Sequence, residues 1–403
     1  MRFVEFLGRA ATASLFMLSA EGAANSVSAK DAVVLHNFNN TDGNEPTFVL
    51  LTADKTLYGV TVLGGGVPDA TGRGVLYKID PQGNFSILHA FADTPDGSIP
   101  GRLVQGPNGK IYGVTGSGGR HSGGTVYTID SSDHYKIIHN FDFSKDGAGP
   151  NFLLLGKDGN FYGTASIGGI PQAGCHLSES HGTLFRMTPD GKVTRLHTFC
   201  EEIDGSGPDS VTEAADGFLY GTCKQDGPNG QNLGAGTFWR ASYSGKLKLL
   251  HVFTQYPEPA APNGVLQAPD GFFYGTSNGG GTDLEGTIFS ANGNGKITVL
   301  HDFRNDGLTG NDPESNFILA EDGFFYGTTA KGGLPFDDPH REGTVYRADT
   351  KGNVKLLHTF LVSDGMTPAA PPARDPETGD LYATAIRGGN QSDGTTVKIP
   401  GKK

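Results

Sequence analysis

Along most of the chain, apolar residues come in short runs of four to seven positions, rich in aromatic and β-branched side chains and cut off by Gly, Asn or Asp. Runs of that length bounded by turn residues predict strands rather than helices. Between residues 102 and 141 there are four of them: Arg102 to Gln105, Lys110 to Thr115, Gly124 to Ile129 and Tyr135 to Phe141. An all-β fold is expected.

The pattern then repeats. The heptamer DGFFYGT stands at Asp270 to Thr276 and again at Asp322 to Thr328. Its Tyr-Gly phrase recurs at Tyr58, Tyr112, Tyr162, Tyr220, Tyr274 and Tyr326, with Tyr382-Ala383 as the last copy, at intervals of 50 to 58 residues. A Gly-Thr phrase follows each, at Gly74 (where Val75 replaces Thr), Gly124, Gly182, Gly236, Gly286, Gly343 and Gly394. A Leu/Ile-His-x-Phe phrase has its histidines at His36, His89, His139, His197, His251, His301 and His358. Seven units of four strands predict a seven-bladed β-propeller of four-stranded blades. The first His-x-Phe phrase precedes the first full unit, and the last unit lacks one. The run Val33 to Phe38 is therefore expected to close the ring as the outer strand of the last blade, removing an open sheet edge. In the heptamer, Asp-Gly reads as a tight turn, Phe and Tyr as buried surface, and the final Gly as room for closely approaching neighbouring backbone.

Composition narrows the function. The 31 basic and 43 acidic residues leave a net charge of −12, without a basic run, which argues against nucleic acid and anionic membranes as partners. At the N-terminus, Arg2 and Arg9 precede an apolar run from Ala10 to Leu18 and then small residues, the pattern of a cleaved secretory signal over residues 1–29. Residues 30–403 are then one exported domain, secreted or periplasmic, with no membrane insertion and expected to be a monomer.

The YGT, Gly-Gly, GTVF-like and LHxF phrases resemble those of the GloVer (Gloeo/Verruco) tandem-repeat family of exported bacterial proteins, over about residues 33 to 399. The resemblance implies export and a repeat fold; it implies no catalytic residues. Gly pairs such as Gly118-Gly119 also suit a kelch propeller, but the single Trp239 lacks the recurring Trp of that architecture.

With strands A to D running outward, the A–B and C–D turns share one face and the B–C and D–A loops the other. The B–C connections vary from 8 to 16 residues, so a ligand site is expected on that loop-rich face. Residues repeated in every unit are structural candidates: the seven histidines as locally hydrogen-bonded groups, and Asp42, Asp96, Asp146, Asp204, Asp306 and Asp364, each followed by Gly, as turn formers. Non-repeated polar residues are the binding candidates: Arg73 in a B–C loop, and Arg102, Asn151, Asp209, Asn263 and Glu314 shortly after the repeated prolines, rimming the central opening. They suit a polar ligand, possibly a carbohydrate.

Polysaccharide cleavage is an alternative, by a lyase or a hydrolase. Elimination on a uronic acid would use Arg102 or Arg120 to neutralise the carboxylate and His121, His176 or His181 as base. His340 and Arg341 lie in another B–C loop, across the ring. A protein-binding scaffold is the third reading. Cys175 and Cys200 are expected to form a disulfide, with a zinc site from Cys175, His176, His181 and Cys200 as the alternative, and Cys223 to be a packed thiol. No cofactor or metal is expected.

Overall fold

The computed structural model describes residues 32–66, 72–170, 175, 181–228, 235–254, 257–304, 309–333 and 342–401. The signal segment, His176, His340, Arg341 and Asp306 lie outside the described residues.

Seven four-stranded antiparallel sheets form the ring of a seven-bladed propeller, without a helix among the described residues. In blade two, strands A to D are Ser98–Gln105, Ile111–Ser117, Thr125–Ile129 and Tyr135–Asn140. Blade seven takes its outer strand, Val33–Asn37, from the start of the chain, and Val33 pairs with Lys398 in strand C, Thr395–Ile399. The ring is closed as the sequence predicts.

The repeated phrases are explained by their contacts. In Asp270 to Thr276, Asp270 caps the turn by accepting from the Phe272 N–H at 3.0 Å and takes the Tyr274 hydroxyl at 2.7 Å; Asp322 and Tyr326 repeat the pair at 2.8 Å. The Gly after each Tyr makes room for the ring of its strand C partner. A Cβ on Gly113 would lie 2.3 Å from the Tyr127 ring, and one on Gly327 2.5 Å from the Tyr346 hydroxyl. In blade seven the partner of Ala383 is Val397, so the smaller neighbour tolerates the extra methyl. The backbone approach expected at this Gly is found in blades three to five, where a Cβ would also lie 2.3–2.5 Å from a strand A carbonyl; in blades one, two and six the ring is the close neighbour.

The glycines of the Gly-Thr phrases sit at the blade junctions. All seven have φ between 91° and 103°. A Cβ on any of them would lie 2.4–2.9 Å from the Cδ of a Pro in strand A, or leading into it, of the next blade. Beside this contact, the residue before that Pro donates its N–H to the carbonyl of the residue before the Gly, at 2.8–3.3 Å. The seven donors, Glu45, Ile99, Gly149, Gly207, Ala261, Asp312 and Thr367, are all left-handed, with φ of 51–67°. The closing junction obeys the same rule: Glu45 bonds to Asp393, and Pro46 packs on Gly394.

Hydrophobic packing is also between blades. Tyr112, Val114 and Val126 of blade two are buried with Phe161, Phe185 and Met187 of blade three. Phe38, fully buried, joins Tyr77 beside Ala373 and Tyr382, so the closing segment has a core of its own.

The repeated histidines and acids, read from sequence as separate parts, are one device. His36, His89, His139, His197 and His358 lie 2.6–3.2 Å from Asp42, Asp96, Asp146, Asp204 and Asp364, and His251 pairs with Glu258 at 3.2 Å. Each acid also accepts a backbone N–H at the start of its D–A loop, as Asp96 does from Ala92 at 3.1 Å. The outer strand is thereby pinned to the loop that leads inward.

Candidate functional site: the central cavity

The innermost strands surround a cavity of about 370 Å³ on the propeller axis. Arg102, Asn151, Asp209, Asn263 and Glu314 all line it. Each lies one or two residues beyond the junction proline of its blade. The junction therefore sets where these side chains begin.

In strand A, the residue preceding the partner of the Tyr-Gly glycine is Phe48, Arg102, Phe152, Ser210 and Gly264 in blades one to five. Extending the pairing of Ile318 with Tyr326 and of Ala373 with Tyr382 gives Asn316 and Pro371 in the last two. Seven equivalent positions thus carry six residue types. Blades one to three supply rings and a cation, and blades four and six a hydroxyl and an amide.

Arg102 is the unusual member. Its guanidinium lies over the Phe152 ring at 4.5 Å and the Phe48 ring at 5.3 Å. Among the described residues it has no carboxylate within ion-pair distance. Burial against these rings lowers its pKa to about 10, partly offset by the field of Asp209, so it stays charged at neutral pH. It also borders a second cavity of about 280 Å³, which shares Phe48, Phe152, Leu154 and Pro371 and adds Leu50, Val104 and Ile318. The cation therefore stands between a mixed polar chamber and a mainly apolar one.

On the facing wall, Asp209 pairs loosely with Lys224 at 3.5 Å. Burial and then the charge of Asp312 raise the pKa of Glu314, while Lys224 and Lys331 oppose the rise. Ser210 Oγ, Asn263 Oδ1, Ser315 Oγ and Asn316 Oδ1 are buried without a hydrogen-bond partner, where buried polar atoms are ordinarily paired. The amide nitrogens of Asn151 and Asn263 are engaged by the protein. Each donates to the carbonyl of the next junction proline, Pro208 at 3.0 Å and Pro313 at 2.6 Å. Asn151 also accepts from Thr164, and Asn263 donates to Thr276.

The remaining candidates lie outside the cavity lining. Arg73 faces Asp93 at 3.7 Å across the first junction, and its carbonyl accepts from Ile99. His181 occupies the same repeat position in blade three; it is buried, with Nε2 3.7 Å from Glu201. Arg120 and His121 are exposed on the blade-two B–C loop. The cation and histidine base proposed for elimination are not assembled by the described residues. Sequence reasoning missed Phe48 and Phe152, whose signal was an aromatic two residues after the junction Pro in two units and an Arg at that position in the unit between.

Cys175 and Cys200 form the expected disulfide, with Cα atoms 5.8 Å apart, which takes two of the four ligands of the alternative zinc site. Cys223 is a buried free thiol, and burial raises its pKa well above the ordinary value.

A closed seven-bladed propeller with a polar axial cavity is the class defined by these features. The chain belongs to the Gloeobacter/Verrucomicrobia repeat family, whose profile matches residues 8–235 and 208–402. Among solved structures it is similar to virginiamycin B lyase from Staphylococcus aureus, at 14% identity and TM-score 0.59, covering 91% of this chain and 98% of that one. A streptogramin B lyase gives 14% identity and TM-score 0.58, covering 92% and 97%. The extracellular domain of a putative hybrid two-component system from B. thetaiotaomicron gives 11% and 0.57, covering 90% of this chain and 39% of that one. At such identities the likeness is one of fold. A comparison with curated proteins found no match.

Proposed function

We propose that this is an exported binding protein whose axial cavity takes a small polar ligand of the carbohydrate class. The observation that carries the reading is the convergence of Arg102, Asp209 and Glu314, with the unpartnered polar atoms of Ser210, Ser315 and Asn316, on one cavity large enough for a sugar ring. Export is supported by the N-terminal pattern and the disulfide; among the described residues no helix is long and apolar enough to cross a membrane. A panel of monosaccharides and short oligosaccharides, titrated calorimetrically, tests the reading. At least one sugar should bind, and Asn316→Trp, which fills the cavity, should abolish that binding without lowering Tm. Failure of the whole panel at millimolar concentration overturns it and favours the protein-scaffold reading.

A catalytic reading has one observation in its favour. Glu314, a carboxyl whose pKa is raised, lines the same cavity as the cation Arg102. Acidic polysaccharides incubated with the protein would then develop the ultraviolet absorbance of unsaturated products, and a flat trace over hours argues for binding alone.

A further inference from the structure

The proposed cavity ligand has so far been described only as polar, and the charges around the cavity say more about it. Arg102 is half-buried, its guanidinium lies over two aromatic rings, and it has no acidic partner among the described residues. A cation drawn partly out of water is ordinarily paired, because complete removal from water costs on the order of several kcal/mol per charge and partial removal a share of it. The ring faces offset part of that cost. They also hold the guanidinium plane in place, so its fork of N–H donors is oriented before any ligand arrives.

We infer that Arg102 is the receptor for a single carboxylate, carried by an acidic sugar whose hydroxyls meet the Ser210, Ser315 and Asn316 wall. This rests on the cavity reading above and adds the charge and head group of the ligand. A planar carboxylate matches the guanidinium fork through two parallel hydrogen bonds. One negative charge is the number the site can neutralise, since Asp209 already uses Lys224 and Glu314 adds acidity rather than relieving it. A phosphate dianion would bring one charge too many. The buried Oγ and Oδ1 atoms opposite can accept from hydroxyls, which a simple carboxylic acid lacks.

The test is calorimetric titration with D-glucuronate, D-galacturonate, their neutral counterparts D-glucose and D-galactose, and inorganic phosphate, using the wild-type protein, Arg102→Gln and Arg102→Lys. One of the acidic sugars should bind at least about tenfold more tightly than its neutral twin and than phosphate. Arg102→Gln should erase that preference, and Arg102→Lys should restore only part of it, because the charge returns without the fork. Equal affinity of the wild type for acidic and neutral sugars overturns the carboxylate and leaves the cavity reading standing. So does a preference that survives Arg102→Gln, or phosphate binding as tightly as the sugar acid. Absence of binding by all four sugars overturns both. The wild-type preference alone decides the matter should either variant fail to fold.

Discussion

The blade junctions and the axial cavity of this propeller are built on opposite principles. At the blade junctions the same parts recur seven times: a left-handed donor, a Pro and a Gly without room for a Cβ. At the axis, the equivalent position in strand A changes from Phe48 to Arg102, Phe152, Ser210, Gly264, Asn316 and Pro371. Recurrence accompanies stability, because every junction solves the same packing problem. Variation at a fixed position suits the recognition proposed above, since one small ligand on the axis would meet seven blades from different sides. The three predictions below probe the repeated half, against the cavity substitutions described above.

The largest effect is expected at the closing junction. In Gly394→Ala the new Cβ would stand 2.4 Å from Pro46 Cδ and 2.6 Å from the Ala385 carbonyl, at a φ of 97°. A loss of about 3 kcal/mol is expected from clash and backbone strain together. Gly124→Ala, at an internal junction, should lose a similar amount in denaturant melts. A much smaller loss at Gly394 would mean that closure is looser than the other joints.

Next comes the histidine–acid latch. Asp96 accepts from His89 at 2.7 Å, Tyr135 at 2.9 Å and the Ala92 N–H at 3.1 Å. Asp96→Ala strands these donors and should cost about 2 kcal/mol. Burial alone would raise the Asp96 pKa, but the bonds from His89 and Tyr135 outweigh it and leave the value below the ordinary 3.8. A depressed folded value means the contribution is complete above 3.8 and is lost as pH falls through the folded pKa. The wild type should therefore lose this increment in acid, while the stability of Asp96→Ala falls less over the same range. Parallel pH profiles would remove the carboxylate from the account.

The smallest effect is a gain. Ile99 is β-branched, half exposed and left-handed at φ 57°, where blades three and four use Gly149 and Gly207. Ile99→Gly should stabilise the protein by about 1 kcal/mol, since left-handed backbone costs about that much for a side-chain-bearing residue. A Tm below that of the wild type would show that the exposed side chain has a packing role.

The fold was legible because each blade repeats its own constraints. Three phrases counted the blades, and the displaced His36 phrase indicated the closure. Strand A was read too short, from Arg102 where it begins at Ser98, because Ser98-Ile99-Pro100-Gly101 has the composition of a turn. The structure places a bulge there, between Pro100 and Leu103. The site was legible in outline: five of the residues named from their position after the repeated prolines reach one cavity. How their amide nitrogens are used was not, because the partners of Asn151 and Asn263 Nδ2 are carbonyls in the next blade, 57 and 50 residues away. Arg73 and His181 were singled out by charge and loop position, neither of which reveals that their carbonyls belong to the joints.

Pairing Val33 with Lys398 also imposes an order of events during synthesis. The ribosome releases the latching strand first and its partner last, so the segment spends nearly the whole of translation without a mate. Its run of half-buried positions after Val33, with Phe38 behind it, is a sticky surface for that interval. Completion of the circle must await the final stretch of chain, and assembly is in this sense timed by its slowest-arriving piece.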